Sequence, residues 1–203
     1  MTKLISIAVA FFLLFSSASF AESQGPQELV KQTADKMLAK LKEERQVIDK
    51  QPGRIYELVS SIVLPHFDFE TMAKRVLGKH WKDASETQRA RFTEEFRTLL
   101  VRTYAKSLTE YTDQQITYLP LKGDAKAGDV TVRSEVSQPG GFPIEITYGL
   151  HQVSSEWKVY DVTIDKVSLA TNYRTSFSNE VRQGGLDKLI EKLADRNRKA
   201  TNG

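Results

Sequence analysis

The sequence predicts an α+β domain with helices gathered against one face of an antiparallel sheet. Three observations predict it. Apolar residues recur at steps of three and four from Val30 to Tyr111, the period switches to two between Gln115 and Ile164, and the helical period returns from Tyr173. Successive β segments are separated by short turns with no helix between them, which makes them antiparallel neighbours. Their one-sided alternation packs a single face of the sheet inward.

The first 21 residues stand outside this pattern. Lys3 gives a positive start, Leu4 to Phe15 form an apolar run, and Ser19-Phe20-Ala21 supplies small side chains at a cleavage site, so residues 1–21 are expected to be a cleaved export signal. The run is too short to span a bilayer, which needs about 20 apolar residues. Residues 22–203 are then expected to form a single domain, with enough chain to bury a continuous core.

Val30, Ala34, Met37, Leu38, Leu41 and Ile48 mark one face of a first helix, which Pro52-Gly53 ends. Ile55, Leu58, Val59, Ile62 and Val63 mark a second, stopped at Pro65. His66 to Trp81 reads as a short helix with Phe69, Met72, Ala73, Val76 and Leu77 apolar and Gly78 as its cap. Ser85-Glu86-Thr87-Gln88 fits a capping box. The helix behind it carries a stripe of Phe92, Phe96, Leu99, Leu100, Tyr104, Leu108 and Tyr111.

Strands are expected at Gln115 to Leu119, at Val130 to Val136 with Ser134 on the valine face, at Ile144 to Leu150 after the turn Pro139-Gly140-Gly141, and at Trp157 to Ile164 after Ser154-Ser155. A last helical region carries Tyr173, Phe177 and Val181, breaks at Gly184-Gly185, and resumes through Leu186, Leu189, Ile190 and Leu193.

Composition excludes several functions. There are 29 Lys and Arg against 26 Asp and Glu, interleaved along helices with no basic stripe, which argues against nucleic-acid binding. With no cysteine the chain has no disulfide, no thiol nucleophile and no residue for lipid attachment after the leader. No Gly-x-Ser-x-Gly elbow occurs. His66, His80 and His151 are scattered and read as capping, packing or exposed groups, and none has a partner at metal-ligand spacing. Asp161 and Asp165, four apart in a strand and on the same edge, have no general acid indicated nearby. Gly140-Gly141 and Gly184-Gly185 are turn glycines, lacking the surroundings of a phosphate loop. No catalytic residue, metal or cofactor is expected.

Two stretches carry a resemblance. Val63-Leu64-Pro65-His66-Phe67-Asp68-Phe69 runs on through Met72-Ala73-Lys74-Arg75-Val76-Leu77-Gly78 and Trp81, to Gln88-Arg89 and Phe96 to Tyr104-Ala105; Trp157-Lys158-Val159-Tyr160-Asp161-Val162 is followed by Val167-Ser168-Leu169, Asn172-Tyr173-Arg174 and Gly184-Gly185-Leu186. In order and spacing they resemble the MlaC, or toluene-tolerance, family, the periplasmic phospholipid-binding component of the Mla lipid-asymmetry pathway. One departure is Lys166, where the family commonly carries glycine, which bears on the turn there.

The resemblance implies helices around a curved antiparallel sheet of about four to five strands enclosing an apolar cavity, in an NTF2-like shape. It implies a monomeric, non-enzymatic carrier of a diacyl phospholipid as cargo, acting in the periplasm between an outer-membrane lipoprotein complex and an inner-membrane ABC transporter with a lipid-binding ring protein. The lining expected under it is Val130, Val132, Val136, Ile144, Ile146, Tyr148 and Leu150 from the sheet, with Leu99, Tyr104, Leu108 and Tyr173 from the helices. The same residues at the same periods also suit a solid core, as in a periplasmic adaptor that bridges two membrane complexes. Clusters such as Lys74-Arg75, Lys79 and Lys82 are candidates for a docking surface.

Overall fold

The computed structural model describes residues 24–110, 114–138 and 140–199. The expected leader, Tyr111 and Pro139 lie outside the described residues. Helix α1 spans Pro26–Glu43, opened by a proline in its first turn, and buries Leu29, Val30, Met37 and Leu41. The single helix expected through Ile48 is interrupted at Glu44, and a short α2 covers Arg45–Lys50. The break is tied to the next element, because Glu44 accepts from Arg54 Nε at 2.6 Å and Nη2 at 3.2 Å at the start of α3, Arg54–Ile62.

The helix expected from His66 to Trp81 is three pieces. A 3₁₀ turn at Leu64–His66 precedes α4 at Phe69–Leu77, and α5 spans His80–Asp83. Asp68 is the reason for the first break: its side chain accepts from Thr71 N at 2.9 Å, so it caps α4 and cannot continue a helix through itself. Gly78, with φ 55°, ends α4 where the sequence places its cap. Helix α6, Glu86–Thr109, begins with the complete capping box, Gln88 N donating to Ser85 Oγ and Ser85 N to Gln88 Oε1.

The sheet is antiparallel, in the order β1 (Ile116–Tyr118), β3 (Asp129–Val136), β4 (Ile144–Val153), β5 (Glu156–Ile164), β6 (Val167–Ser168), with β2 (Lys122–Asp124) pairing the other half of the β3 edge that β1 occupies. Two short strands, β2 and β6, add to the four read from the sequence. Curvature has a local cause. The β4–β5 register slips between Gly149 and Leu150, leaving Tyr160 as the extra residue of a bulge, which bends the strand and increases its twist. A side chain at Gly149 would place its Cβ 3.0 Å from the Tyr160 ring, tighter than ordinary packing, so the ring would have to give by a few tenths of an ångström.

Two-residue turns join β4 to β5 and β5 to β6. Ser154 and Ser155 have φ 49° and 71°, and Asp165 and Lys166 have φ 47° and 67°, the double left-handed conformation that matches hairpin twist. Lys166 therefore holds the backbone conformation that favours glycine. Asp161 ties this last turn to α7, Leu169–Lys199: it accepts from Ser168 Oγ at 2.8 Å and from Ala170 N at 3.3 Å, capping the helix. That helix kinks at Gly185 (φ 82°, ψ 167°), at the break read from the sequence.

Two hydrophobic clusters result. The larger packs α4, the front of α6, α7 and the start of α1 (Leu29, Val30) on the sheet, with Phe92, Phe96, Tyr173 and Phe177 stacked, tilted or edge-on at 5.3–6.2 Å. The smaller joins α1, α2, α3 and the back of α6 through Met37, Leu41, Ile48, Ile55, Leu58, Val59, Ile62 and Ala105.

Candidate functional site

The two clusters do not close on each other, and the space between them is the site. The inward face of the sheet is fixed by register: Val136 opposes Ile144, Ser134 opposes Ile146, Val132 opposes Tyr148, and Ile164 and Val162 stand opposite Ile146 and Tyr148 on β5. Ile146 and Tyr148 are mid-sheet yet only half-buried, because their side chains pack against the larger cluster on one side and look onto a hollow on the other.

The hollow has two lobes. The first, about 320 Å³, lies between α1 and the sheet, with Leu29, Val30, Ala34, Met37 and Leu38 on one wall and Ile116, Val136 and Val159 on the other. The second, about 240 Å³, lies under α3 and α6, lined by Val59, Leu100, Val101, Tyr104 and Ala105 against Phe69, Met72, Val162, Ile164 and Leu169. Val63, Phe67, Leu108, Ile146 and Tyr148 line both, so the lobes adjoin at a waist of apolar and aromatic side chains.

Polar groups in the first lobe are few: Thr33, His66, Ser107 and Ser134. Ser134, fully buried on the valine face, donates to the Ile146 carbonyl at 3.4 Å and meets the Tyr148 hydroxyl, so its polarity is satisfied within the wall. Burial pushes the Tyr148 and Tyr118 hydroxyls up from their ordinary values, and pushes Tyr104 up to about 12, so all three stay neutral. The His66 imidazole is pushed down by burial and then by nearby Lys158, which favours its neutral form. The walls therefore carry almost no charge.

Of the lining expected from the sequence, the structure brings Tyr104, Leu108, Val136, Ile146 and Tyr148 to the hollow. Val130, Val132 and Leu150, at most 1 % exposed, and Leu99, at 2 %, lie in the packed core cluster. Tyr173 packs edge-on to Phe96 at 5.4 Å, in the α6–α7 aromatic cluster. Ile144 is half-buried at the start of β4, outside both lobes. The α1 wall and the waist residue Val63 were legible only as helix faces, and Phe67 only as part of a stretch that carries the resemblance, since nothing local marks a side chain that packs against space.

His151 and His80 are structural. His151 Nε2 meets Asp68 Oδ2 at 2.9 Å, linking β4 to the α4 cap, and His80 Nε2 lies 3.3 Å from Ser178 Oγ. Burial would raise the Asp68 carboxyl, but the bonds from Thr71 and His151 outweigh it and hold the carboxyl below its usual range. Among the described residues no cluster of three metal-ligating side chains occurs.

A curved sheet capped by helices around an apolar, two-lobed hollow defines a protein built to enclose an apolar ligand. The family model of the MlaC protein matches residues 31–195, and the chain belongs to the MlaC family. It is 29% identical over 198 residues to the intermembrane phospholipid transport system binding protein MlaC of Haemophilus influenzae, covering 95% of this chain and 90% of that one. It is 28% identical over 192 residues to the toluene tolerance protein ttg2D of Pseudomonas putida, covering 93% and 86%. Among solved structures it resembles the phospholipid-binding protein of Ralstonia solanacearum in complex with a phospholipid, with TM-score 0.79 and 30% identity over 86% of this chain and 98% of that one.

Proposed function

We propose that this protein is a periplasmic phospholipid carrier that shields acyl chains in the two-lobed hollow and shuttles lipid between outer- and inner-membrane complexes. The observation that carries the reading is the hollow itself, hydrocarbon-lined and placed between two core clusters that a filled protein would have merged. An adaptor with a solid core has no use for it. The phospholipid-bound relative of the same fold and the transport role named for the Haemophilus relative support the cargo.

The thermodynamic task is shielding. A tail leaving a bilayer is already in an apolar medium, so the pocket has only to match the membrane, while exposing some 30 methylenes to water would cost about 25 kcal/mol. No chemistry is required of the protein, and the reading is non-enzymatic. Export by the leader at 1–21, action as a monomer, and exchange with a lipoprotein complex on the outer-membrane side and an ABC transporter with a lipid-binding ring protein on the inner side complete the proposal. Its supports are the leader pattern at Lys3 and Leu4 to Phe15 and the family relationship. Native mass spectrometry of protein purified from its host tests it: one diacyl lipid bound is expected, and a bare chain mass overturns the reading.

A further inference from the structure

The second lobe has a polar neighbour. A pocket of about 170 Å³ lies in the groove between α3 and α6, and Leu64 and Val101 line both it and the lobe. Its remaining walls are Tyr56 and Ser60, one turn apart on α3, and Arg97, Thr98 and Arg102 on α6. Here two guanidinium groups and three hydroxyls meet beside a hydrocarbon hollow.

Arg97 has a donor to spare. Its Nε is buried without a hydrogen-bond partner, an arrangement folded proteins seldom leave standing, while its Nη2 reaches Glu94 at 2.5 Å in an exposed pair on the same helix. Arg102 lies over the Tyr56 ring, 5.6 Å from its centroid, which orients the guanidinium against the pocket wall. The planar fork of arginine matches the two oxygens of a phosphate. The other polar opening, beside the first lobe at His66, is less suited: Lys158 there is already engaged by Glu156 at 2.7 Å and by the Pro65 carbonyl at 2.9 Å.

We infer that the Arg97–Arg102 pocket is a phosphate subsite, which receives the phosphodiester of a bound lipid whose tail enters the second lobe past Leu64 and Val101. Such a subsite deepens the carrier reading and rests on it. It makes the protein selective for phosphate over chain length, because the hollow reads only hydrocarbon and the arginine pocket reads the head.

Competition between lipids with identical tails tests it. Delipidated full-length protein is offered an equimolar mixture of dioleoylphosphatidylglycerol and dioleoylglycerol, and the bound species are counted by native mass spectrometry. The expected result is that wild type takes the phospholipid by roughly tenfold, and that Arg97→Gln with Arg102→Gln removes the preference while total acyl occupancy stays. Thr98→Glu, which sets a carboxylate into the pocket without removing the Arg102–Tyr56 stack, is expected to do the same and guards against a misfolded double variant. Unchanged preference in both folded variants overturns the subsite and leaves the carrier reading standing. Titration with inorganic phosphate separates the sources: weak binding lost in the double variant supports a headgroup subsite, and tight phosphate binding with no effect of the variants on lipid choice overturns it in favour of a free-anion site. If wild type takes up neither lipid, the carrier reading falls and the headgroup assignment falls with it.

Discussion

At the scale of single residues, the polar groups near the hollow hold the fold without charging it. Asp68 caps α4 through Thr71 N at 2.9 Å and Thr71 Oγ1 at 2.7 Å while binding His151 at 2.9 Å. Asp68→Ala removes all three, and a loss of about 2 kcal/mol is expected, read as a Tm lowered by roughly 4–8 °C. Because the folded state holds this carboxyl below its ordinary value, its contribution is present above about pH 4 and disappears as pH falls through the folded value. Asp68→Asn keeps an acceptor for the cap and is expected to flatten that acid limb of a Tm-against-pH curve. His66 runs the other way in charge and the same way in pH. Its folded value is lowered, so below about pH 6.5 the unfolded chain takes up the proton first and stability declines with falling pH. Melts of His66→Gln across pH 5 to 8 are expected to lack that decline.

At the scale of elements, curvature and turns decide whether a hollow exists. Gly149 lets Tyr160 lie across the β4–β5 bulge, and Tyr160 is fixed there by its hydroxyl bond to Asp129 Oδ1 at 3.1 Å and by Arg75 over its ring at 4.6 Å. Gly149→Val forces Tyr160 away, and destabilisation of about 1–3 kcal/mol is expected in urea unfolding. The β5–β6 turn offers the opposite experiment. Lys166 at φ 67° bears a left-handed conformation that glycine adopts freely, so Lys166→Gly is expected to stabilise the protein by up to about 1 kcal/mol, seen as a higher urea midpoint with unchanged slope. Both positions were visible in the sequence as turn or strand residues. The bulge was not, because an extra residue between Lys158 and Val162 leaves each half of β5 alternating normally.

At the scale of the whole molecule, stability and ligand capacity reside in different places. The aromatic core between α6 and α7 is solid, while α3 and α1 roof the hollow, α1 joining the larger cluster through Leu29 and Val30 and the smaller through Met37 and Leu41. Substitutions in the two regions should therefore separate. Ile146→Trp fills the waist where the lobes adjoin and is expected to lower bound lipid by roughly tenfold, equivalent to about 1.4 kcal/mol. Phe177→Leu, in the aromatic cluster away from the lining, is expected to lower Tm with lipid retained. Equal lipid loss in both would mean that the cavity depends on global packing and not on its own walls.

Elements and their inward faces were legible in the residues alone, because period and turn chemistry are local: the capping box at Ser85, the stop at Gly78, the kink at Gly185 and the alternation of β3 to β5 all stand where the residues place them. Which inward residues meet solid core and which meet space is a property of the assembled fold. Val132 and Ile146 carry the same periodic signal, yet one is sealed under the larger cluster and the other faces the hollow. Hydrophobic patterning records that a side chain leaves water; whether atoms or a cavity receive it depends on how far α1 and α3 stand from the sheet, a distance set by the packing of many residues at once.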